Sequence, residues 1–406
     1  MTPPPRTAVL PVMARRPLFV CCAAGLLYLS ALSVAAVPLT MLDAQSYPLA
    51  RCMDGSPGGF YLEKAARTGP DVDDAATSWV IELEGGGECA SQRLCDSRRG
   101  THLASSKYFP DETTLGFLAS GNPDHNPRLS KWNRVHVPYC SQDLWMGTRT
   151  TDSPGDDPGN GTFGYFFAGH HILDAVLTEL EASHGLGDAT NIVLTGESAG
   201  GIGVWPNLDW LSQRFPAARV VGAPIAGFYF FAYPYQGPGH TSSGLADFRE
   251  SAWPLHFALW GSFVDEDCRH ALGDGAYACS LANYSFPFIT SETFIVESQT
   301  DQVVIEYHDW VPSSQDPNWS QDVREYLSSW QANMTQALVP AMDAKNKNNG
   351  VFNPACFIHT SFNANGPLIG NVSYYSAFDA WFYGENAELW KLQDECGILC
   401  NPTCPH

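Results

Sequence analysis

A serine set between glycines is the first group in this chain equipped for chemistry. Residues 191–203 read N-I-V-L-T-G-E-S-A-G-G-I-G, an apolar β-branched run that breaks into Gly196-Glu197-Ser198-Ala199-Gly200, a G-x-S-x-G pentapeptide. A serine hydroxyl is a poor nucleophile until a base takes its proton, so it must stand clear of the backbone beside a histidine. A sharp strand-to-helix turn presents it that way, and glycines at the flanking positions relieve the crowding of the turn. The pentapeptide alone also describes an ordinary Gly-rich turn. The strand-like run before it supplies the context that the mechanism requires.

Such a nucleophile needs a base, an acid to orient the base, and donors for the oxyanion. In the chain order of α/β hydrolases the acid follows the serine and the histidine comes last. Asp301 lies in E-S-Q-T-D-Q just beyond a strand-like segment at 294–297, and His359 lies in F-N-P-A-C-F-I-H-T-S-F at 352–362. The histidine would take the proton of Ser198 and return it to the leaving alcohol, while Asp301 would hold the imidazole tautomer. Spacing leaves Asp265, Asp267 and Asp309 open as the acid, and His256, His270 and His308 open as the base. A lone aspartate in a loop is as readily a turn residue, and a lone histidine a packing group. Gly85-Gly86-Gly87 can turn successive N–H groups toward one point beside the Ala199 N–H, although the same triplet reads equally as a glycine turn.

Strands and helices must position these groups. Residues 79–84 alternate like a strand, 133–140 form a second, and 166–184 space their apolar residues as a helix stopped at Gly185. The serine strand follows, then a helix over 199–215 that Pro206 should kink or shorten. A strand at 294–297 and a long helix over 323–342 complete the pattern. Strands alternating with helices imply an α/β fold with a largely parallel central sheet flanked by helices, as one catalytic domain over residues 46–406. Residues 152–161 read as a surface loop. The aromatic run at 227–235, G-F-Y-F-F-A-Y-P-Y, can line an acyl pocket, stack on sugar rings, or serve as a core strand and loop.

Composition fits an exported enzyme. Of 406 residues, 44% are hydrophobic and only 16% charged, with 43 acidic against 22 basic for a net charge of −21. Nucleic acid is therefore excluded as a partner class, since phosphate binding needs clustered Lys and Arg. Arg6, Arg15 and Arg16 precede an apolar stretch from 18 to 37, with Val34-Ala35-Ala36 as a small-residue cleavage site. Residues 1–45 thus read as a signal peptide, or as an uncleaved single-pass anchor, plus a short linker. Either way the rest is lumenal or extracellular. Beyond Cys21 and Cys22 the cysteines are Cys52, Cys89, Cys95, Cys140, Cys268, Cys279, Cys356, Cys396, Cys400 and Cys404, an even set that in an exported chain reads as disulfides of open connectivity. The tail Cys396/Cys400/Cys404, and His170 with His171, are the residues a metal would use if one were present. Sequons at Asn160, Asn283, Asn318, Asn333 and Asn371 are glycan acceptors in a eukaryotic secretory pathway and should lie on the surface, away from any substrate cleft.

These motifs together resemble the pectin acetylesterase/Notum family of secreted serine carboxylesterases. The matching residues are Glu84-Gly85-Gly86-Gly87-Glu88-Cys89, Ser105-Ser106-Lys107, Trp132-Asn133-Arg134-Val135 with Pro138-Tyr139-Cys140, Gly196 to Gly201, the segment around Asp301, and Phe352-x-Pro354-x-Cys356-x-x-His359. The resemblance runs from about residue 51 to about residue 396. It implies an α/β-hydrolase-like fold, a Ser198/Asp301/His359 triad, an oxyanion hole from Gly86, Gly87 and Ala199, and bridges Cys52–Cys140 and Cys89–Cys95. Two positions depart from the family pattern: Glu88 stands where an aromatic residue is usual, and Glu197 where Cys or Ser precedes the nucleophile.

The family divides between members that deacetylate pectin and members that remove a fatty acyl group from a secreted protein. The triple glycine resembles the first type. The expectation is a monomeric esterase without metal or organic cofactor that releases acetyl groups from a polysaccharide such as pectin, in the cell wall or outside the cell. A long-acyl protein carboxylesterase and a catalytically silent glycan-binding protein are the alternatives.

Overall fold

The computed structural model describes residues 1, 36–65, 72–150, 161–241, 244–312, 319–346 and 348–405. The basic flank, residues 18–35 of the apolar stretch, residues 152–160 of the expected loop, and the sequons Asn160 and Asn318 lie outside the described residues. Val34–His406 forms one compact unit.

Its centre is a ten-stranded sheet whose middle strands are parallel. The strands are β1 (Val37–Met41), β2 (Gly59–Glu63), β3 (Ser78–Leu83), β4 (Glu112–Thr113), β5 (Asn133–Val137) and β6 (Asn191–Glu197). They continue as β7 (Arg219–Ile225), β8 (Glu292–Val296), β9 (Thr300–Asp301), β10 (Asn349–Asn353), β11 (Phe357–Ile358) and β12 (Lys391–Gln393). The large sheet runs β12-β10-β8-β7-β6-β3-β5-β2-β1-β4, while β9 and β11 pair separately. From β12 to β5 every pairing is parallel; β2, β1 and β4 add an antiparallel edge.

Alternation along the central strands feeds two cores. Trp79, Ile81, Leu83, Ile192 and Leu194 enter the core on one face, and Val80 and Val193 that on the other. Burial on both faces is why these strands read as nearly continuous apolar runs. The helices Gly169–His184 and Ala199–Arg214 cover the first face and Tyr374–Phe382 the second.

Three sequence expectations need correction. Val37–Met41, assigned to the linker, is strand β1 in the sheet. The helix Ala199–Arg214 continues through Pro206, with Asn207 donating from its side chain to Gly203 O at 2.8 Å and to Trp145 O at 3.1 Å in the adjoining turn. The helix expected over 323–342 is Gln321–Ala337 followed by a separate turn, Val339–Met342. Pro340 explains the break, since it lacks an N–H and its ring crowds the carbonyl one turn back.

Candidate active site

The carboxyl end of β6 delivers Ser198. Its backbone sits at φ 57°, ψ −123°, a left-handed conformation that costs about 1–3 kcal/mol and persists only where the surroundings enforce it. Ser198 N donates to Ile225 O at 3.0 Å, and Ile202 N donates to Ser198 O at 2.9 Å, which pins both sides of the turn. A Cβ on Gly200 would stand 1.9 Å from Leu83 O, so only glycine lets the helix start against β3.

The small β9–β11 ladder brings Asp301 and His359 together. Ile358 pairs with Asp301, leaving His359 as the next residue beyond the pair. His359 Nε2 lies 2.7 Å from Ser198 Oγ, and His359 Nδ1 lies 2.7 Å from Asp301 Oδ2. With Nδ1–H donating to the carboxylate, Nε2 is free to accept the serine proton. Asp301 is fully buried. Its Oδ1 accepts from Val304 N at 3.0 Å, and its Oδ2 also accepts from the Tyr229 hydroxyl at 3.1 Å, which is shared with Ala226 O at 2.6 Å.

The alternatives are placed elsewhere. Asp265 caps the helix Glu266–Leu272 by accepting from Cys268 N at 2.8 Å, and Asp267 is exposed on that helix. Asp309 Oδ2 accepts from Trp330 Nε1 at 2.9 Å, and burial pushes its carboxyl up to about 7. His256 is buried between Trp253 and Trp260, and His270 is an exposed partner of Glu266. His308 does line the cleft, but its Nδ1 donates to Ala246 O at 2.7 Å.

Gly86 and Gly87 follow β3 with φ values of 142° and 71°, and the cleft is lined by both, together with Ser198, Ala199 and His359. Among the described residues, no protein acceptor takes the N–H of Gly86, Gly87 or Ala199, so these donors stand available. The preceding amide is engaged: Gly85 N donates to Glu197 Oε1 at 2.7 Å. Glu197 Oε2 is buried without a partner among the described residues. Burial, reinforced by the charge of Glu82, pushes the Glu197 carboxyl up to about 8. Nearby, burial works against a charged His136, but the hydrogen bond that its Nδ1 donates to Glu82 Oε2 at 3.2 Å, with the charge of Glu82, outweighs that and pushes the imidazole up to about 9. Glu88, the other departure, points its Oε1 at Ala246 N, 2.8 Å away, and so holds the segment carrying Leu245 and Phe248 over the cleft.

The cleft encloses about 490 Å³. Ile202, Leu245, Phe248, Val303 and Val304 form its apolar wall, and Arg98 brings a cation to it. Of the aromatic run, Tyr229 reaches this cleft; the segment is irregular and mostly buried, not a strand.

All the cysteines of the described unit are paired: Cys52–Cys140, Cys89–Cys95, Cys268–Cys279, Cys356–Cys404 and Cys396–Cys400. Cys89–Cys95 closes the turn just after the glycine triplet, and Cys356–Cys404 anchors the strand that leads to His359. The tail sulfurs are thereby committed to disulfides. Among the described residues no cluster of three His, Cys, Asp or Glu side chains has metal-holding geometry. Sequence reasoning missed Tyr229 as a partner of Asp301. It also missed Glu297, buried and held well above the usual carboxylate range by burial and the Asp301 charge, whose Oε2 accepts from Phe228 N at 2.8 Å.

The pectinacetylesterase family model matches residues 31–405. Pectin acetylesterase 5 of Arabidopsis thaliana is 28% identical over 372 residues, spanning 87% of this chain and 81% of that protein. The palmitoleoyl-protein carboxylesterase NOTUM of Schmidtea mediterranea is 31% identical over 263 residues, 63% of this chain and 47% of that one, so the match spans about half of that relative. The solved structure of the Drosophila Wnt deacylase Notum superimposes with a TM-score of 0.74 at 27% identity, covering 91% of this chain and 100% of that one. The sheet, the serine elbow and these likenesses place the chain in the pectinacetylesterase family, as an α/β-hydrolase-like carboxylic-ester hydrolase.

Proposed function

We propose that the chain is an exported serine esterase in which Ser198 is nucleophile, His359 base and Asp301 the acid that orients it, releasing acetyl or other short acyl groups from a polysaccharide such as pectin. The observation that carries this reading is the line of two 2.7 Å hydrogen bonds from Ser198 through His359 to Asp301. In the forward step Ser198 Oγ attacks the ester carbonyl as His359 Nε2 takes its proton, and the imidazolium returns that proton to the departing alcohol. Water then attacks the acyl-serine with His359 again as base, freeing the acid and restoring the serine. The N–H groups of Gly86, Gly87 and Ala199 would receive the oxyanion, each such donor being worth about 2.7–4 kcal/mol in the transition state. The backbone supplies the electrophile, so the scheme needs no cofactor.

A second reading, a long-acyl carboxylesterase acting on an acylated protein, is favoured by the cleft itself: about 490 Å³ with an apolar wall is more room than an acetyl group fills. A panel of p-nitrophenyl esters from acetate to palmitate separates the two by the chain length at which kcat/KM peaks. Ser198→Ala, His359→Ala and Asp301→Asn should each lower kcat by several orders of magnitude in folded protein. Their losses should not multiply, because the three act as a unit. A fluorophosphonate probe should label Ser198; a folded chain that resists labelling and hydrolyses no ester is a binding protein instead.

A further inference from the structure

The aromatic segment that sends Tyr229 into the catalytic cleft continues directly into a second cavity. Phe230 and residues 231–233 form one wall, facing the helix Gln321–Ala337 and the short helix Ala282–Ser285. This cavity encloses about 640 Å³ and shares no lining residue with the catalytic cleft. Its chemistry is distinctive. The rings of Phe231, Tyr233, Tyr284 and Tyr326 line it together with the amides of Asn283 and Asn333. The ring centroids of Phe231 and Tyr284 sit 4.7 Å apart, and Tyr233, whose carbonyl accepts from Tyr326 Oη at 3.0 Å, is 89% exposed. Among the described residues that line the cavity, none carries a formal charge, in a chain with 43 acidic and 22 basic residues.

Each feature narrows the occupant. A polyanion would find no cation to pair with, and a fatty chain would strip water from the amides without replacing its hydrogen bonds. Pyranose rings satisfy both requirements: their C–H faces pack on aromatic rings while their hydroxyls pair with amides. We infer that this cleft binds a neutral pyranose oligosaccharide, at a site separate from the ester-cleaving cleft. The inference goes beyond the reading of the catalytic site and does not depend on it. Two sources can supply the rings, because Asn283 and Asn333 each open an N-x-S/T sequon: a free polysaccharide, or a glycan carried by the chain itself. Contrary to the expectation that all sequons avoid clefts, these two border one.

The test uses the full chain secreted from a eukaryotic host, beside a Ser285→Ala/Thr335→Ala form that loses both sequons and keeps both amides. Calorimetry would measure binding of glucose, galactose and xylose hexasaccharides, with hexagalacturonate as the charged control. The expected result is that the sequon-free chain binds at least one neutral hexasaccharide, and that Tyr233→Ala weakens this tenfold or more while p-nitrophenyl ester hydrolysis stays unchanged. Binding by both preparations assigns the cleft to free polysaccharide; binding only after sequon removal assigns it to the resident glycan. Failure of every neutral hexasaccharide to bind the sequon-free chain, unaltered binding in Tyr233→Ala, or equal binding of hexagalacturonate overturns the inference. Loss of ester hydrolysis on Ser198→Ala tests the catalytic reading separately.

Discussion

Glu197 holds a carboxyl against the backbone of the glycine loop at Gly85, one residue before Ser198. With its value raised from 4.5 to about 8, the native state keeps a proton that the unfolded chain has already released across that range. Stability therefore falls as pH rises from about 4.5 to about 8, then levels off. His136, faced by Glu82, Glu84 and Glu197 and raised from 6.5 to about 9, adds a decline of the same sign at higher pH. Glu197→Gln keeps a neutral acceptor for Gly85 N–H and removes the titration. Denaturant unfolding at successive pH values should show the variant losing stability less steeply than the parent between pH 5 and 8, by about 1 kcal/mol per pH unit. Parallel slopes would mean that Glu197 is ionised throughout. At this scale the sequence was legible where chemistry imposes a spacing: Ser198, Asp301 and His359 were singled out, and the structure brings them within hydrogen-bond reach. Tyr229 and Glu297 were not legible as partners of the Asp301 region, because their contacts arise where β7, β8 and the β9–β11 pair converge.

Among the elements, those buried on both faces announced themselves. β3, β6 and β8 are apolar runs, and the helix Gly169–His184 ends at Gly185, which takes a φ of 81° that suits glycine. β10, with its polar ends and glycine, and β12, half-buried at the sheet edge, carry no periodicity long enough to read. The β9–β11 pair is two residues per strand, too short for any pattern, yet it sets the distance between Asp301 and His359. Cys356–Cys404 compensates for that brevity by fixing β11 from its entry side. Replacing both cysteines by alanine should lower stability by about 2–4 kcal/mol. It should also depress kcat more than it raises KM, because His359 loses its register rather than the cleft its walls. Stability loss with unchanged turnover would show that the β9–β11 hydrogen bonds suffice on their own.

At the scale of the molecule, β1 and the overall charge bear on where and on what the chain works. β1 begins at Val37, so cleavage after Ala36 would leave the sheet intact, and amino-terminal sequencing of protein from the medium should begin at Val37. Retention in membranes with an uncleaved terminus would support the anchor. The net charge of −21 acts on any polymer approaching the cleft. A polygalacturonate carries the same sign, and the repulsion reaches about 30 Å at 10 mM salt but only about 8 Å at 150 mM. If acetylated pectin is the substrate, kcat/KM should therefore rise as salt increases over that range, mainly through association. A neutral acetylated polysaccharide and p-nitrophenyl acetate should be indifferent to salt, since no long-range field acts on them. Among the described residues that line the cleft, Arg98 works against the repulsion, as a cation near the glycine loop with its Nη2 3.4 Å from where a Cβ of Gly87 would stand. Arg98→Gln should steepen the salt dependence for a pectic substrate and leave that for the small ester flat. A pectic kcat/KM that falls with salt would mean that attraction dominates the approach, and the overall charge would then have no bearing on substrate choice.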